Sequence, residues 1–333
     1  MKILYVLAEP TLGGGVKVVF QHADLLSKLG HSVHILGNGD RPDWVAAHVG
    51  YSNLMKGCLG IPVQDLVIAT YWTTVKFAEQ LMLGPVVHFC QGYEGGLVHM
   101  EGHLQEIYSA YSRPSPVLVV SPHLGDLMKS QFKRPSFLTP PSIDLNFKPR
   151  LRFFPQERPI VLVHGIYEAE SKNVKTALRA MQILREDGFD FTLWRISTFP
   201  LSREETCIIR PDRYMQNCPP ETVAQLTRKV DIALCPCNES EGFGLPLLEA
   251  MQSQVPVVAA DTPASRFVTQ GMLELVQTYD AQAYAQQVKL ALSQPVTWRK
   301  LRKVGARAAR RFSPENIARE LDVAIQNAHQ LVR

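Results

Sequence analysis

The chain has 333 residues, 46% of them hydrophobic and 20% charged, with a formal net charge of +4. That length exceeds one ordinary hydrophobic core and predicts two domains; the composition is that of a soluble globular protein, and so small a positive charge does not require a nucleic-acid partner. No apolar run approaches the roughly 18 residues of a membrane-spanning helix, and the opening Lys2–Ala8 stretch, ended by Glu9, is too short for a signal-peptide core and reads instead as a buried strand.

Short apolar runs then alternate with helical patterns, the order expected of parallel sheets with crossover helices. Ile3–Leu7 is the first predicted strand. Gly13-Gly14-Gly15 follows and predicts a tight turn, after which Val16, Val19, Phe20, Ala23 and Leu26 recur at helical spacing. Val18 stands where a dinucleotide fingerprint needs its last glycine. Gly30-His31 closes the helix and Ser32–Leu36 reads as the second strand. Further strands are predicted at Leu66–Ala69, Val86–Phe89 and Val117–Val120. A second series runs through Ile160–Val163, Phe191–Ile196, Ile232–Cys235 and Val257–Ala259. Between the two series, residues 147–159 carry three prolines and four basic residues without periodicity, which puts the interdomain linker there. The last helices run from about Val296 to the end, broken at Ser313-Pro314.

Six cysteines (58, 90, 207, 218, 235 and 237) show no metal-ligand spacing and are expected to be reduced, partly buried thiols. The most informative segment is Cys237-Asn-Glu-Ser-Glu-Gly-Phe-Gly-Leu-Pro-Leu-Leu-Glu-Ala-Met251. It sets two carboxylates, Glu241 and Glu249, around a Gly-Phe-Gly turn just after an apolar strand. Pro246 suits the first turn of a helix, because its missing N–H would be unpaired there anyway. The backbone N–H groups of Phe243, Gly244 and Leu245, with the positive end of the helix dipole, are then expected to form an anion site flanked by hydroxyl-binding carboxylates. A sugar phosphate needs that combination.

These residues resemble the signature of the retaining glycosyl transferase group 1 family. The resemblance implies an α/β chain of the GT-B fold, with two Rossmann-like domains whose parallel sheets face a central cleft. It implies a nucleotide diphosphate sugar as donor substrate, with no further cofactor. Glu249 would hold the ribose hydroxyls, while Glu241 and the Gly-Phe-Gly amides would hold the sugar and phosphates. Pro256–Ala260 and Asp261-Thr-Pro263 continue the match; Gln254 stands where relatives usually have glycine, a change at a helix end. Gly165-Ile166 and Lys172-Asn173 fall on a family motif that puts an arginine and a lysine on the diphosphate. Lys172 matches, whereas Ile166 replaces the arginine, and Arg195 is a candidate for the missing charge.

The triple glycine at 13–15 resembles the family's first loop, where backbone amides approach donor phosphates or acceptor; a plain tight turn is the alternative. Gln91, Tyr93 and Glu94 resemble the acceptor side of the cleft. Many relatives carry a histidine at Gln91, and since an amide cannot act as a base, Glu94 is the base candidate. His88 reads as a core histidine, and Tyr71 and Trp72 either stack on a sugar or pack. Arg299, Lys300, Arg302, Lys303, Arg307, Arg310 and Arg311 crowd one late helix; anionic headgroups, phosphates and plain solvation all remain open.

The domain reading is 1–150 as the acceptor-side domain, 151–312 as the nucleotide-sugar domain, and 313–333 as a helix returning toward the first. The function expected is sugar transfer with retention to a glycan, lipid-linked or small-molecule acceptor. The chain has no Asp-x-Asp pair, which fits stabilisation of the leaving diphosphate by Lys172, the amides and the helix dipole without metal. A cytoplasmic protein, peripheral to the membrane's inner face in one version, is expected. An epimerase or hydrolase on the same fold, and a scaffold without turnover, stay open as alternatives.

Overall fold

The computed structural model describes residues 1–45, 49–57 and 60–332. Cys58 lies outside them; the other five cysteines are free thiols. The described residues divide into two compact units, Met1–Ser142 with Phe312–Arg333, and Ile143–Arg311. The proline-rich stretch 147–159 therefore belongs to the second unit.

The first unit holds strands β1 (Lys2–Leu7), β2 (Ser32–Gly37), β3 (Gly50–Asn53), β4 (Leu66–Ala69), β5 (Val86–Cys90), β6 (Val117–Val119) and β7 (Ser136–Leu138). They form one parallel sheet in the order β3-β2-β1-β4-β5-β6-β7. Its helices are α1 (Gly14–Lys28), α2 (Trp72–Gln80), α3 (Leu104–Tyr111) and α4 (Pro122–Phe132). The second unit holds β8 (Ile160–His164), β9 (Thr192–Ser197), β10 (Arg213–Gln216), β11 (Ile232–Cys235) and β12 (Val257–Ala259), ordered β10-β9-β8-β11-β12 and again parallel. Its helices are α5 (Val174–Glu186), α6 (Arg203–Ile208), α7 (Pro220–Thr227), α8 (Leu245–Gln252), α9 (Pro263–Thr269), α10 (Ala281–Ser293) and α11 (Pro295–Ala309). The last helix, α12 (Pro314–Val332), belongs to the first unit, where it packs on α1, β6 and β7.

In both sheets the first strand lies inside and the order reverses beside it, between β1 and β4 and between β8 and β11. Loops diverge at such a point and leave a crevice outside the strands' carboxyl ends, where α/β sheets bind ligands. The central strands are buried on both faces, which is why they read as continuous apolar runs. The core of the second unit joins Val161, Val163, Leu193, Ile232 and Leu234 of the sheet to Val174, Ala177, Leu178, Met181 and Leu184, one stripe of α5 at helical spacing. In α12, Ile317, Leu321, Ala324, Ile325 and Ala328 form the corresponding stripe, and Asp322 meets His31 at 2.9 Å.

The lower end of the second sheet is tied by one carboxylate. Asp231, fully buried, accepts hydrogen bonds from Arg152, from the backbone N–H and side-chain amide of Gln156, and from the N–H of Ile160. Arg302 of α11 donates to the carbonyls of Arg150, Arg152 and Gln254. It is thus a buried clamp rather than part of a solvated basic face.

Gln254 follows the end of α8 at φ +54°, with Val255 N–H returning to Ala250 O at 2.9 Å. This left-handed position suits glycine, which has no Cβ to crowd its carbonyl. Gln254→Gly is expected to stabilise the second unit by roughly 0.5–1 kcal/mol, the relief of strain less the added entropy of the unfolded glycine. Thermal unfolding would show a rise of about 1–3 °C; a fall would mean that Gln254 makes a compensating contact.

Candidate active site

The site is assembled from two loops at the β8/β11 reversal. After β8, Gly165 adopts φ +146°, and a Cβ there would lie 3.3 Å from Cβ of Lys172. The absence of a side chain lets the chain fold back so that Lys172 stands beside the strand end. Asn173 then takes the left-handed conformation, φ 44°, before α5 starts; asparagine tolerates this better than most residues. Its amide donates to Pro236 O at 2.9 Å and Thr278 O at 3.0 Å. From the other loop, Asn238 donates its N–H to Ser171 O at 2.9 Å and its side-chain amide to Glu170 O at 3.1 Å. The loops 165–173 and 236–244 are therefore one hydrogen-bonded unit. Asn173 entered the sequence reading only as the partner of Lys172 in the motif, and Asn238 was not singled out. The available signal was two loop asparagines, a residue type that ties backbones together through its own amide.

On this base Lys172 Nζ meets Glu241 Oε2 at 2.7 Å. The other carboxylate oxygen of Glu241 accepts the N–H of Gly244 at 3.1 Å. Burial opposes the Lys172 ammonium, but the Glu241 charge and hydrogen bond outweigh it and hold the lysine pKa above its ordinary value. The site thus keeps a fixed cation at neutral pH. Gly244, at φ +92°, caps α8. Its amide is occupied by Glu241, so of the three amides expected to converge on an anion one is already engaged in this structure. The Phe243 ring is buried and packs edge-on against Phe267 at 6.2 Å. Leu245 opens α8, and Glu249 lies in its second turn, buried like Glu241.

Cys235 and Cys237 lie in the same neighbourhood. Burial, with the negative charge of Glu241, pushes the Cys237 thiol up to about 11. Burial raises Cys235 further, with added contributions from Glu241 and Glu249. Both thiols stay protonated at neutral pH, so neither supplies a thiolate nucleophile.

Arg195 does not supply the missing diphosphate charge. It is fully buried, pairs with Glu205 at 2.8 Å, and donates to Val163 O and Gly165 O. Its guanidinium holds the Gly165 turn from within the sheet.

The remaining sequence candidates fall in the first unit. Gly14 and Gly15 are the first residues of α1, and Gly13 is its extended N-cap, so the triple glycine is the helix start itself rather than a separate tight turn before it. Gln91 lies across from it: its amide donates to Gly15 O at 3.3 Å, and a Cβ on Gly15 would be 3.3 Å from that amide nitrogen. Glu94 accepts the hydroxyl of buried Tyr111 at 2.6 Å. Burial raises the Glu94 carboxyl to about 7, against the opposing effect of that hydrogen bond. The Tyr93 ring packs edge-on against Tyr111 and Phe132, and its hydroxyl accepts from Gln131 at 3.3 Å. Its main contacts are thus aromatic packing. His88 is buried against Tyr111, its pKa pushed down to about 3 by burial, as a neutral core histidine. Tyr71 and Trp72 pack on each other, and Trp72 on His103. Among the described residues no group of His, Cys, Asp and Glu is arranged to hold a metal ion, and no helix is long and apolar enough to cross a membrane.

A crevice at the strand reversal, with a lysine, two buried glutamates and a capped helix start, coincides with a known family pattern. The model of glycosyl transferases group 1 matches residues 158–294. This region belongs to the glycosyl transferases group 1 family. The chain is 27% identical to a phosphatidyl-myo-inositol mannosyltransferase of Mycobacterium leprae over 182 residues, 53% of this chain and 49% of that protein. It is 28% identical to the serotype-specific mannosyltransferase WbdA of Escherichia coli over 120 residues, 34% of this chain and 14% of that protein. The chain thus spans half or less of the curated relatives it matches. Among solved structures, a sucrose-phosphate synthase from Thermosynechococcus elongatus aligns with a TM-score of 0.77 at 17% identity, covering 99% of this chain and 100% of that one. HepE of Anabaena, in complex with UDP-glucose, aligns with a TM-score of 0.76 at 14% identity, covering 98% and 100%. The glycosyl transferases group 1 region and these neighbours identify the fold as GT-B.

Proposed function

We propose that the chain is a metal-independent, retaining glycosyltransferase that moves a hexosyl group from a nucleotide diphosphate sugar to a glycan or lipid-linked acceptor. The observation that carries this reading is the Lys172–Glu241 pair beside the start of α8, with Glu249 one turn further on. Lys172 brings a permanent ammonium to the diphosphate, and Glu241 is close enough to share that ammonium while accepting a sugar hydroxyl. Glu249 takes the ribose hydroxyls. As the glycosidic bond lengthens, negative charge grows on the departing diphosphate, and Lys172 with the dipole of α8 stabilises it. Attack then occurs on the face being vacated, through an oxocarbenium-like state with no protein nucleophile, in keeping with the protonated thiols. The acceptor is assigned to the first unit, where Glu94 takes its proton and Gly13, Gly14, Gly15, Gln91 and Tyr93 border its path. The names of the relatives support a sugar-nucleotide donor, two of them being mannosyltransferases and a third protein holding UDP-glucose.

The test is transfer in EDTA followed by NMR of the product. The expected result is undiminished transfer, with the product's anomeric configuration that of the donor. Loss of transfer on chelation, restored by magnesium or manganese, would overturn the leaving-group assignment; inversion would overturn the same-face attack.

A further inference from the structure

Residues 145–156 and helix α11 contain no acidic residue, whereas together they carry Lys148, Arg150, Arg152, Arg299, Lys300, Arg302, Lys303 and Arg307. Two of these cations have structural partners. Arg152 points inward to Asp231 and Lys229 O, and Arg302 grips the carbonyls of Arg150 and Arg152. Arg152 turns inward while its neighbours on either side, Leu151 and Phe153, lie at the surface. Leu151 is 84% exposed, and Phe153 and Phe154 are each 60% exposed. The Arg299 guanidinium sits 5.5 Å from the centre of the Phe154 ring, which joins this segment to α11. On that helix Lys300 and Lys303 are exposed and Val296 is 71% exposed.

A segment pinned by a buried ion pair and an arginine clamp is not a loosely held loop. It holds three large apolar side chains in water at fixed positions, and a patch of this kind marks an interaction surface. The same segment and helix carry Lys148, Arg150, Arg299, Lys300 and Lys303, with the exposed Glu157 just beyond. Apolar side chains that enter the headgroup–acyl boundary, accompanied by cations that meet headgroup phosphates, are the chemistry of a peripheral membrane contact. The geometry points to a docking face for an anionic phospholipid bilayer, formed by Leu151, Phe153 and Phe154 with Arg299, Lys300 and Lys303. The two aromatic rings and the leucine enter the interface while the flanking cations stay at headgroup level, the long lysine stems reaching outward. This face belongs wholly to the second unit and is independent of the assignment of Lys172, Glu241 and Glu249.

Co-sedimentation with vesicles tests it, using phosphatidylcholine alone and equal parts phosphatidylcholine and phosphatidylglycerol. The full chain is expected to bind the mixed vesicles and to bind neutral ones much more weakly, with affinity falling as salt rises. Lys300→Ala with Lys303→Ala should weaken binding to mixed vesicles by about thirtyfold, at roughly 1 kcal/mol per cation. Phe153→Ser with Phe154→Ser should weaken it by at least about tenfold. Both pairs are at the surface, so both variants should keep the wild-type melting temperature, which controls for folding. Failure to bind mixed vesicles at low salt would overturn the proposal, as would equal binding by wild type and both variants. A wild-type dimer in solution that the phenylalanine variant dissolves, without vesicle binding, would assign the face to a second copy of the chain instead.

Discussion

Replacing Glu94 by glutamine is expected to lower sugar transfer by about 10²–10⁴ while leaving donor affinity near wild type. The change keeps the shape of the side chain and its capacity to accept the Tyr111 hydroxyl, and removes only the ionisable oxygen. The carboxyl of Glu94 is raised to about 7 because burial disfavours its charged form, which brings it close to the operating pH of a general base. A base works when deprotonated. Transfer by the wild type should therefore climb as pH rises through about 7 and level off above it, and Glu94→Gln should lose this climb together with the rate. The hydrogen-bond network of Glu94 holds Tyr111, whose hydroxyl it accepts, and Cys90, whose thiol lies 3.6 Å from that hydroxyl; its charge also reaches the phenols of Tyr71 and Tyr93, both raised by burial. Burial raises the Tyr111 hydroxyl and pushes Cys90 up to about 12. None of these titrates near neutrality, so the limb reports Glu94. A variant with wild-type rate and an unchanged pH profile would make Glu94 a structural partner of Tyr111 and move the base to the departing phosphate.

Lys172→Met should reduce turnover by roughly 10²–10³, the range found when a preorganised charge or donor at a developing anion is removed. Methionine preserves most of the aliphatic stem that rests against Gly165, so packing at the turn is retained. Glu241 keeps its hydrogen bond from Gly244, but it is buried and loses its ion-pair partner, so the melting temperature should also fall and turnover is to be compared at a temperature where the variant is folded. Lys172→Arg should recover part of the rate, because it restores the charge at a slightly different position. Turnover within threefold of wild type for the methionine variant would make Lys172 a structural partner of Glu241 and leave the diphosphate without its cation.

The sequence and the structure agree most closely where burial is two-sided. Leu66–Ala69, Ile232–Cys235 and Val257–Ala259 were legible to the residue, because buried parallel strands are continuous apolar runs. Three strands were not seen: β3 (Gly-Tyr-Ser-Asn), β7 (Ser-Phe-Leu) and β10 (Arg-Tyr-Met-Gln). All three are sheet edges with mostly half-exposed side chains, which dilutes the apolar signal; β12 is an edge too, but its three residues are buried. The candidate donor site was readable because Glu241, Gly244 and Glu249 are close in sequence and because Lys172 stands in a local motif. What sequence could not give was direction. Arg195, in the middle of β9, matched no motif and was a candidate only for the charge missing at Ile166; its side chain instead donates to Val163 O and Gly165 O. Likewise Tyr93 packs against Tyr111 and Phe132, partners 18 and 39 residues away, and Glu94 meets Tyr111 at a separation of 17. Arg302 looked like one of a solvated set until its carbonyl partners were in view.

The central claim is that the crevice between β8 and β11 holds a nucleotide diphosphate sugar through Lys172, Glu241 and Glu249. Calorimetric titration with sugar nucleotides of uridine, guanosine and adenosine tests it most directly, using wild type and Glu249→Ala side by side. One nucleotide class is expected to bind at a single site with an affinity in the range of about 1 μM to 1 mM. In Glu249→Ala the same titration should be weaker by about tenfold to a hundredfold, the loss of a charge-assisted hydrogen bond. No binding of any sugar nucleotide to the wild type, or equal affinity in a folded Glu249→Ala variant, would contradict the account.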